Sequence, residues 1–330
     1  MLAKKVIIRV DGNSNMGLGH IYRGLALAEM LKDQFDVVFI IRQTTTTIPI
    51  EDSGFSFSLI PENIELSEEA EWLKDFFEND AIIILDGYQF DENYQKKLKN
   101  NNFKLIYIDD LALGIQKADF VINHNPGASE TDYETAEYTK LALGLDYAML
   151  RPAFLEIAKQ KRFINNIDTA FVCFGGSDTY DYTLQSVKAL LEINQFKKIN
   201  VVVGEAYRNK EIFELSKTNP KINISKNLSE IELISVMVES NFAIAPSSTI
   251  LLELLAIGMP ILSGYYVENQ KRFYHYFKDN NLVFGIDDFK DITVEELNQN
   301  IMNLLNMPYH DRNIIDGFQK KRFIEIINTL

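Results

Sequence analysis

The stretch "KKVIIRVDGNSNMGLGHIYRGLALAEM" at residues 4–30 decides the fold. Its first part is β-branched and predicts a strand that ends at Asp11. Ile21, Leu25 and Ala28 then recur at helical spacing, which predicts a helix after the glycine-bearing turn. This order leaves backbone N–H groups unpaired at the positive end of a helix dipole. The stretch therefore predicts a βα unit whose turn suits an anion or a reacting group that becomes anionic.

The bulk composition limits the classes of protein that the chain can represent. Its 330 residues, 46% of them hydrophobic, are enough for two domains with full cores. The formal charge of −14 argues against a general nucleic-acid binder, because such proteins carry a basic face. Cys173 is the single cysteine and lies in an apolar run, so it excludes an intrachain disulfide and indicates a small core residue.

The sequence shows no targeting peptide and no membrane-spanning segment. The first residues lack the apolar length and cleavage site of a signal peptide, and the longest apolar runs are too short to cross a bilayer. We therefore expect a cytoplasmic protein with no stable membrane association. The sequence does not indicate an oligomeric state.

Strands and helices alternate up to about residue 150, and the pattern restarts after the segment "LRPAFLEIAKQ". Continuous apolar strands separated by amphipathic helices indicate parallel sheets covered on both faces. We predict an α/β protein of two doubly wound, Rossmann-type domains, 1–150 and 151–330. They are expected to face a central cleft at the carboxyl ends of their strands. The tail is compatible with two helices that pad the second domain and with a last helix that packs back on the first.

The first candidate cluster follows the first predicted strand and comprises Asp11, Asn15, Gly17, Gly19 and His20. A histidine at a helix start is often only a cap or a surface residue. Here it follows a Gly-x-Gly turn at the carboxyl end of a strand, which favours a functional role. A helix N-terminus lowers the pKa of an imidazole and keeps it neutral, so His20 can act as a base.

Two further turns end apolar strands. Tyr88 follows "AIIILDG", where its hydroxyl is placed to reach a substrate across from His20, although packing at a strand end explains it equally well. Gly175 and Gly176 in "FGGSD" form another strand-to-helix turn with open amides. A Gly-Gly turn alone is weak evidence for a ligand site.

The fourth candidate cluster is "APSSTILLELLAIG", residues 245–258. Ser247, Ser248 and Thr249 are expected at a helix start, where they offer hydroxyls and amides to phosphate. Glu253 lies one turn later on the same face, where a carboxylate can accept both hydroxyls of a ribose. As a lone acid between leucines it fits a solvated helix face poorly.

The sequence contains none of the common metal or cofactor motifs. It has no HExxH, no Walker-type lysine loop, no GxGxxG and no GxSxG. The pairs Asp109–Asp110 and Asp287–Asp288 are interpreted as solvated or capping carboxylates. We therefore expect neither a metal nor a cofactor.

Several of these segments together resemble one family. "RVDGNSNMGLGHIYRGLALA", "LDGYQF", "DYAMLRPAF", "FGGSD" and "SSTILLELLAIGMPILSGYYVENQ" are similar to the UDP-sugar hydrolases of pseudaminic acid synthesis. Those enzymes cleave UDP from UDP-2,4-diacetamido-2,4,6-trideoxy-β-L-altropyranose and share the GT-B form of the glycosyltransferase that adds N-acetylglucosamine to lipid I. The resemblance covers most of residues 4–275, and the tail after about residue 285 is outside it.

The resemblance implies a GT-B-like fold, a UDP-sugar substrate and metal-independent hydrolysis with inversion, in which water attacks the anomeric carbon. It implies His20 as the base and Tyr88 near the reacting sugar, and we group Asp11 and Asn15 with them. Substrate- and UDP-binding candidates are Gly17, Gly19, Arg23, Arg151, Gly175, Gly176, Ser247, Ser248, Thr249, Glu253 and the pair Asn269–Gln270.

Two other functions remain open at this point. A GT-B glycosyltransferase would use the same nucleotide site with an acceptor other than water, and a nucleotide-sugar sensor would bind without turnover. A sensor does not need His20. Incubation with UDP-sugar alone separates the three, because UDP is released without acceptor, only with acceptor, or never.

Overall fold

The computed structural model describes residues 4–13, 16–78, 80–176, 178–307 and 314–330, and of Asn269 the backbone alone. The chain divides into two compact units. The first extends to Pro152 and includes Phe318–Leu330, and the second is Ala153–Gly317. This division lies two residues after the expected boundary, and it assigns the last helix to the first unit.

The strands and helices alternate along the chain. The strands are β1 (Lys5–Val10), β2 (Asp36–Arg42), β3 (Ser56–Ile60), β4 (Ile82–Asp86), β5 (Lys104–Ile108), β6 (Ile115–Gln116), β7 (Phe120–Asn123), β8 (Glu134–Thr135), β9 (Lys140–Leu143), β10 (Thr169–Val172), β11 (Lys198–Val203), β12 (Ile222–Lys226), β13 (Phe242–Pro246), β14 (Ile261–Tyr265) and β15 (Phe284–Asp288). The helices are α1 (Gly19–Leu31), α2 (Ile48–Asp52), α3 (Glu69–Phe76), α4 (Glu92–Asn100), α5 (Pro152–Ala158), α6 (Tyr182–Leu191), α7 (Glu211–Thr218), α8 (Glu230–Glu239), α9 (Thr249–Ile257), α10 (Glu268–Asp279), α11 (Val294–Leu305) and α12 (Gln319–Asn328).

In the described part of the first unit, seven parallel strands form a sheet in the order β3-β2-β1-β4-β5-β7-β9. The central strands β1 and β4 are buried except at Lys5, because helices cover both faces of such a sheet. The core on one face joins the sheet to α3 and α4 through Ile83, Leu73 and Leu98. α12 packs on α1 in the same unit, where Lys320 pairs with Asp33 at 2.6 Å.

The described part of the second unit holds six parallel strands in the order β12-β11-β10-β13-β14-β15. Its core contains β10, β11 and β13 residues packed with α6 and α11, among them Val172, Val187 and Ile301. Both sheets are thus doubly wound, and the predicted α/β class with two parallel sheets is confirmed.

The strand order fixes where each unit offers a ligand site. In the first sheet the order reverses between β1 and β4, and in the second between β10 and β13. Helices after two such strands leave on opposite faces, which opens a crevice at the carboxyl ends of the strands. His20 follows β1 and Asp86 ends β4, whereas Gly176 follows β10 and Thr249 follows β13. Each candidate cluster therefore lies at the switch point of its own sheet.

Several elements were not predicted from the sequence, among them the edge strand β3, the short strands β6 and β8, and the helices α2, α5 and α10. In β3, "SFSLI", only one of the five residues is buried. Asp287 and Asp288, expected in a polar loop, end the edge strand β15. There Asp287 pairs with Lys278 at 2.7 Å, and Asp288 accepts a hydrogen bond from the backbone N–H of Lys290.

Within the described ranges, every helix is too short or too polar to cross a membrane. In the same ranges, no three His, Cys, Asp or Glu side chains are grouped so that they could hold a metal ion.

Candidate active site

His20 lies in the first turn of α1 and contacts a buried carboxylate on the neighbouring strand. Its Nδ1 is 2.7 Å from Oδ1 of Asp86, which ends β4 and is fully buried. Burial opposes the charged carboxylate, but Arg23 and His20 outweigh it and lower the pKa of Asp86 below its ordinary value. The ionised Asp86 can only accept, so its contact with His20 requires a proton on Nδ1, and in the neutral imidazole Nε2 then carries the lone pair. Nη2 of Arg23 lies 3.1 Å from the same Nδ1. Within the described residues, Nε2 has no hydrogen-bond partner. The pair thus has the geometry of a histidine base oriented by a carboxylate.

Arg23, one turn after His20 in α1, forms hydrogen bonds with the Asp86 carboxylate. Its Nε and Nη2 donate to the two oxygens of Asp86 at 2.8 and 2.5 Å, and its Nη1 donates to Asp110 at 2.8 and 2.9 Å. Burial alone would lower the pKa of Arg23, but the two carboxylates raise it above its ordinary value. The guanidinium is therefore engaged with protein carboxylates. The structure gives Arg23 a role in holding Asp86, rather than the direct substrate contact expected from the sequence.

Tyr88 lies beside His20 at the rim of this cluster. The two rings meet edge to face with centroids 5.0 Å apart, and the phenol hydroxyl is 3.5 Å from Oδ2 of Asp110. Partial burial and the nearby Asp110 raise the pKa of Tyr88, so its hydroxyl stays protonated. With 59% of the residue exposed, Tyr88 can donate that proton to a ligand. The structure thus brings His20 and Tyr88 together.

Asp11 was grouped with His20, but the structure places it in a different network. Its Oδ1 accepts from the backbone N–H of Arg42 and from the hydroxyl of Thr45, and its Oδ2 pairs with Arg9 at 2.7 Å and accepts from Gln89. These bonds join the segments that follow β1, β2 and β4. Asp11 therefore connects these segments through hydrogen bonds and an ion pair, and this geometry does not support a catalytic role for it.

The other candidates of the first unit lie around this cluster. Gly17 has a φ of +87° and donates its N–H to the Asn13 carbonyl at 2.8 Å, a conformation that favours glycine. Gly19 begins α1 directly before His20. Arg151 lies half-buried just before α5. Asn15 lies outside the described residues.

In the second unit, the glycine turn after β10 is shaped by its neighbours. Gly175 has a φ of +82°, and its backbone amide acts to lower the pKa of the Cys173 thiol, against the larger effect of burial. Asp178 caps α6, because its carboxylate accepts the backbone N–H groups of Tyr182 and Thr183 at 3.1 and 2.7 Å. The expectation of open amides along this turn therefore needs correction. A side chain already occupies the start of α6, whereas a Cβ built on Gly175 or Gly176 would meet nothing within 4 Å.

The serines and the threonine of the fourth candidate cluster have separate roles. Ser247 is buried, and its hydroxyl bonds that of Ser263 on β14 at 3.0 Å, so it is not offered to a ligand. Ser248 is the N-cap of α9, but its side chain makes no capping hydrogen bond. Thr249 begins the helix. The first N–H groups of α9 are therefore not covered by the preceding side chain, which suits an anion.

Glu253 is buried in α9, with only 8% of the residue exposed, which excludes a solvated helix face. Burial and the negative charges of Glu253 and Asp178 raise the pKa of the Cys173 thiol to about 11. Glu253 therefore lies close to the glycine turn. The high thiol pKa keeps Cys173 protonated, in agreement with a core residue rather than a nucleophile.

Gln270 lies in the first turn of α10 and is mostly buried. Its Oε1 accepts the backbone N–H of Tyr266 at 3.1 Å, so the side chain holds the turn between β14 and α10. The side chain of Asn269, its expected partner, lies outside the described residues.

Three contributors to the first-unit cluster were not among the predicted site residues. Asp86 was noted only as a strand end, and Asp110 as half of a solvated or capping pair. Asp109 does cap the turn after β5, with 2.7 Å from its Oδ2 to the N–H of Ala112, whereas Asp110 binds Arg23. His124 lies near these charges, and burial together with Arg23 lowers its pKa to about 4, so its ring is neutral.

The chain has relatives of moderate sequence identity, while no family model matches it. It is 27% identical over 272 residues to the UDP-2,4-diacetamido-2,4,6-trideoxy-beta-L-altropyranose hydrolase of Campylobacter jejuni, covering 81% of this chain and 93% of that protein. It is 24% identical over 269 residues to the spore coat polysaccharide biosynthesis protein SpsG of Bacillus subtilis, covering 80% and 78%. An uncharacterized protein of Methanocaldococcus jannaschii is 27% identical over 285 residues, 82% of this chain, and the chain spans only 57% of its length.

Solved structures extend the likeness to the whole fold. MurG of Acinetobacter baumannii superposes with a TM-score of 0.69 at 11% identity, over 99% of this chain and 100% of that one. A glycotransferase of kitacinnamycin gives 0.67 at 11% identity, over 100% and 98%. The chain thus has a GT-B fold of two Rossmann-like domains, and its resemblance to the UDP-2,4-diacetamido-2,4,6-trideoxy-β-L-altropyranose hydrolases is confirmed by the Campylobacter relative.

Proposed function

We propose that the chain hydrolyses a UDP-activated diacetamido-trideoxy sugar to UDP and free sugar. The observation that carries the proposal is the His20–Asp86 pair at the switch point of the first sheet, with Nδ1 held at 2.7 Å and Nε2 available. The Campylobacter relative, whose name states this reaction, supports the choice of substrate. A pure binding protein has no use for a base that is oriented in this way.

The proposed reaction is a single displacement by water. Nε2 of His20 accepts a proton from the water as its oxygen bonds the anomeric carbon, and the bond from that carbon to the diphosphate oxygen breaks. The electron pair leaves with UDP, and the configuration inverts. Asp86 stabilises the imidazolium that forms, and Arg23 keeps the carboxylate in place. Tyr88 is assigned to a hydrogen bond with the sugar.

The second unit is assigned to UDP. The uncapped N-terminus of α9 and the backbone of Gly176 would meet the charge that grows on the leaving diphosphate. The buried carboxylate of Glu253, one turn into the same helix, would accept the ribose hydroxyls. Arg151 and Gln270 remain proposed contributors to substrate binding, with Gln270 acting through the turn it holds.

The test is incubation with UDP-2,4-diacetamido-2,4,6-trideoxy-β-L-altropyranose in the absence of any acceptor. We expect stoichiometric UDP and free sugar, with one oxygen of ¹⁸O-water in the sugar and none in UDP. Release of UDP that depends on an added acceptor would instead establish a glycosyltransferase, the class to which the structural neighbours point. Tight UDP binding without any turnover would establish a sensor.

Replacing Glu253 with alanine is expected to weaken UDP binding by roughly 30–150-fold, since a charge-assisted pair of hydrogen bonds contributes about 2–3 kcal/mol. Isothermal titration with UDP measures the change. Glu253→Gln keeps the volume of this buried side chain and should give a smaller loss. Glu214→Ala, on the exposed face of α7, is the control and should bind UDP as the wild type does. Unchanged affinity in Glu253→Ala would place the ribose elsewhere.

Activity is expected to survive excess EDTA with little loss. The reason is that helix N-terminal and backbone N–H groups can carry the diphosphate charge without a cation. The acid pair nearest the proposed base is already engaged, since Asp110 binds Arg23 and Asp109 caps a turn. The measurement is the initial rate before and after dialysis against EDTA. Strong inhibition that added Mg²⁺ reverses would contradict the assignment of the phosphate site.

A further inference from the structure

The turn that follows β11 touches the glycine turn that follows β10. A Cβ built on Gly204 would lie 2.4 Å from Cα, 2.5 Å from O and 2.8 Å from C of Gly176. All three atoms belong to the backbone, so they cannot rotate away as the end of a side chain can. Ordinary contact begins at 3.4 Å, and a methyl group here would therefore force a displacement of about 1 Å.

The β11 turn is the less yielding partner in this contact. The N–H of Tyr207 donates to the carbonyl of Gly204 at 3.3 Å, and the guanidinium of Arg208 donates to the carbonyls of Glu205 and Tyr207. The ring of Tyr207 is buried and packs against Phe213. The turn is thus held by its own hydrogen bonds and anchored in the core.

The glycine turn, in contrast, has open space beside it. A Cβ on Gly176 would meet nothing within 4 Å, and Gly175 already has a positive φ. Pressure from residue 204 would therefore displace Gly176, the residue that the proposed function assigns to the diphosphate.

We infer that Gly204 is a positioning residue for nucleotide binding: because it lacks a side chain, the β11 turn can support Gly176 in the position that meets the diphosphate. The inference rests on the proposed function. It also gives Gly204 a task that neither the sequence nor a ligand contact would reveal, since the residue acts through Gly176.

The test compares Gly204→Ala with Glu205→Ala, an exposed neighbour whose backbone contacts are unchanged. We expect Gly204→Ala to raise the Kd for UDP at least about tenfold, since a shift of about 1 Å misaligns hydrogen-bond donors. At saturating substrate its kcat should fall as well, because Gly176 is assigned to the charge that grows on the leaving diphosphate. Hydrogen exchange of a peptide covering 170–176 should rise. Glu205→Ala should match the wild type in all three measurements.

A second variant covers the case in which Gly204→Ala does not fold. Arg208→Ala adds no atoms and removes the guanidinium that holds the turn, so it should raise the Kd for UDP a few-fold and hydrogen exchange at 170–176. The inference is overturned if a folded Gly204→Ala binds UDP within twofold of the wild type, or if Gly204→Ala fails to fold and Arg208→Ala shows neither effect. Failure of the proposed function looks different, because the wild type itself would then either not bind UDP or bind it without releasing UDP from the UDP-sugar in the absence of an acceptor.

Discussion

Replacing His20 with alanine or leucine is expected to abolish measurable turnover, with kcat lowered by about 100- to 10,000-fold, the usual contribution of a positioned general base. UDP affinity should stay within a few-fold of the wild type, because the residues assigned to UDP lie in the second unit. The physical reason is that Asp86 holds Nδ1 of His20 at 2.7 Å, which leaves Nε2 of the same ring to accept the proton of the water. Single-turnover kinetics with the UDP-sugar measure the loss, and titration with UDP measures the affinity.

Lys32→Ala is the matched control for this experiment. Lys32 directly follows α1, more than three turns from His20, and its exposed ammonium pairs only with Glu29 among described residues. Its kcat should equal that of the wild type. If a His20 variant retains near-normal kcat while the control behaves as expected, His20 is not the base. Tyr88, the other ionisable group at this rim, would then be the next residue to test.

The helix start at His20 was predictable because its signals are local. A β-branched strand, a glycine turn and an apolar period of helical spacing all lie within residues 4–30. The pairing with Asp86 is not local, since the two residues are 66 positions apart. Parallel pairing of β1 with β4 brings them together, with Val10 in register with Asp86. A single sequence reveals that register only after the strand order is known.

The two predicted phosphate-binding turns of the second unit also depend on contacts that the sequence does not reveal. From the sequence, "FGGSD" and "PSST" read as equivalent helix starts with open amides. The structure separates them, because the carboxylate of Asp178 reaches forward to the first N–H groups of α6, whereas the side chain of Ser248 makes no capping hydrogen bond to α9. The choice depends on side-chain and backbone conformation, here a φ of +40° at Asp178, which residue type alone does not determine. Likewise, Ser247 faces Ser263 because β13 and β14 are neighbours in the sheet.

The part played by the buried carboxylate can be separated from that of His20. Asp86→Asn keeps the shape of the side chain but replaces one acceptor oxygen with a donor group. Arg23 donates to both oxygens of Asp86, so the new amide opposes either a donor of Arg23 or the N–H of His20. An amide facing Nδ1 would favour the tautomer that carries its proton on Nε2, which cannot accept a proton from water.

We therefore expect Asp86→Asn to lower kcat by about 1,000-fold or more, as loss of the orienting carboxylate does in histidine-based catalysis, with little change in UDP affinity. The pKa of Asp86 lies below its ordinary value, so the wild-type carboxylate stays ionised even as the pH falls to the pKa of an ordinary aspartate. The effect of the substitution on kcat should therefore be constant over neutral pH. Asp110→Asn is the matched control, since it changes the other carboxylate bound by Arg23 and leaves the His20 contact intact. It should lose far less activity.

Because Asp86 is buried and paired, rates are to be normalised to the folded fraction obtained from thermal unfolding of each variant. A kcat of Asp86→Asn within tenfold of the wild type would show that His20 acts without an orienting partner, and equal losses in the two variants would trace the effect to Arg23 instead.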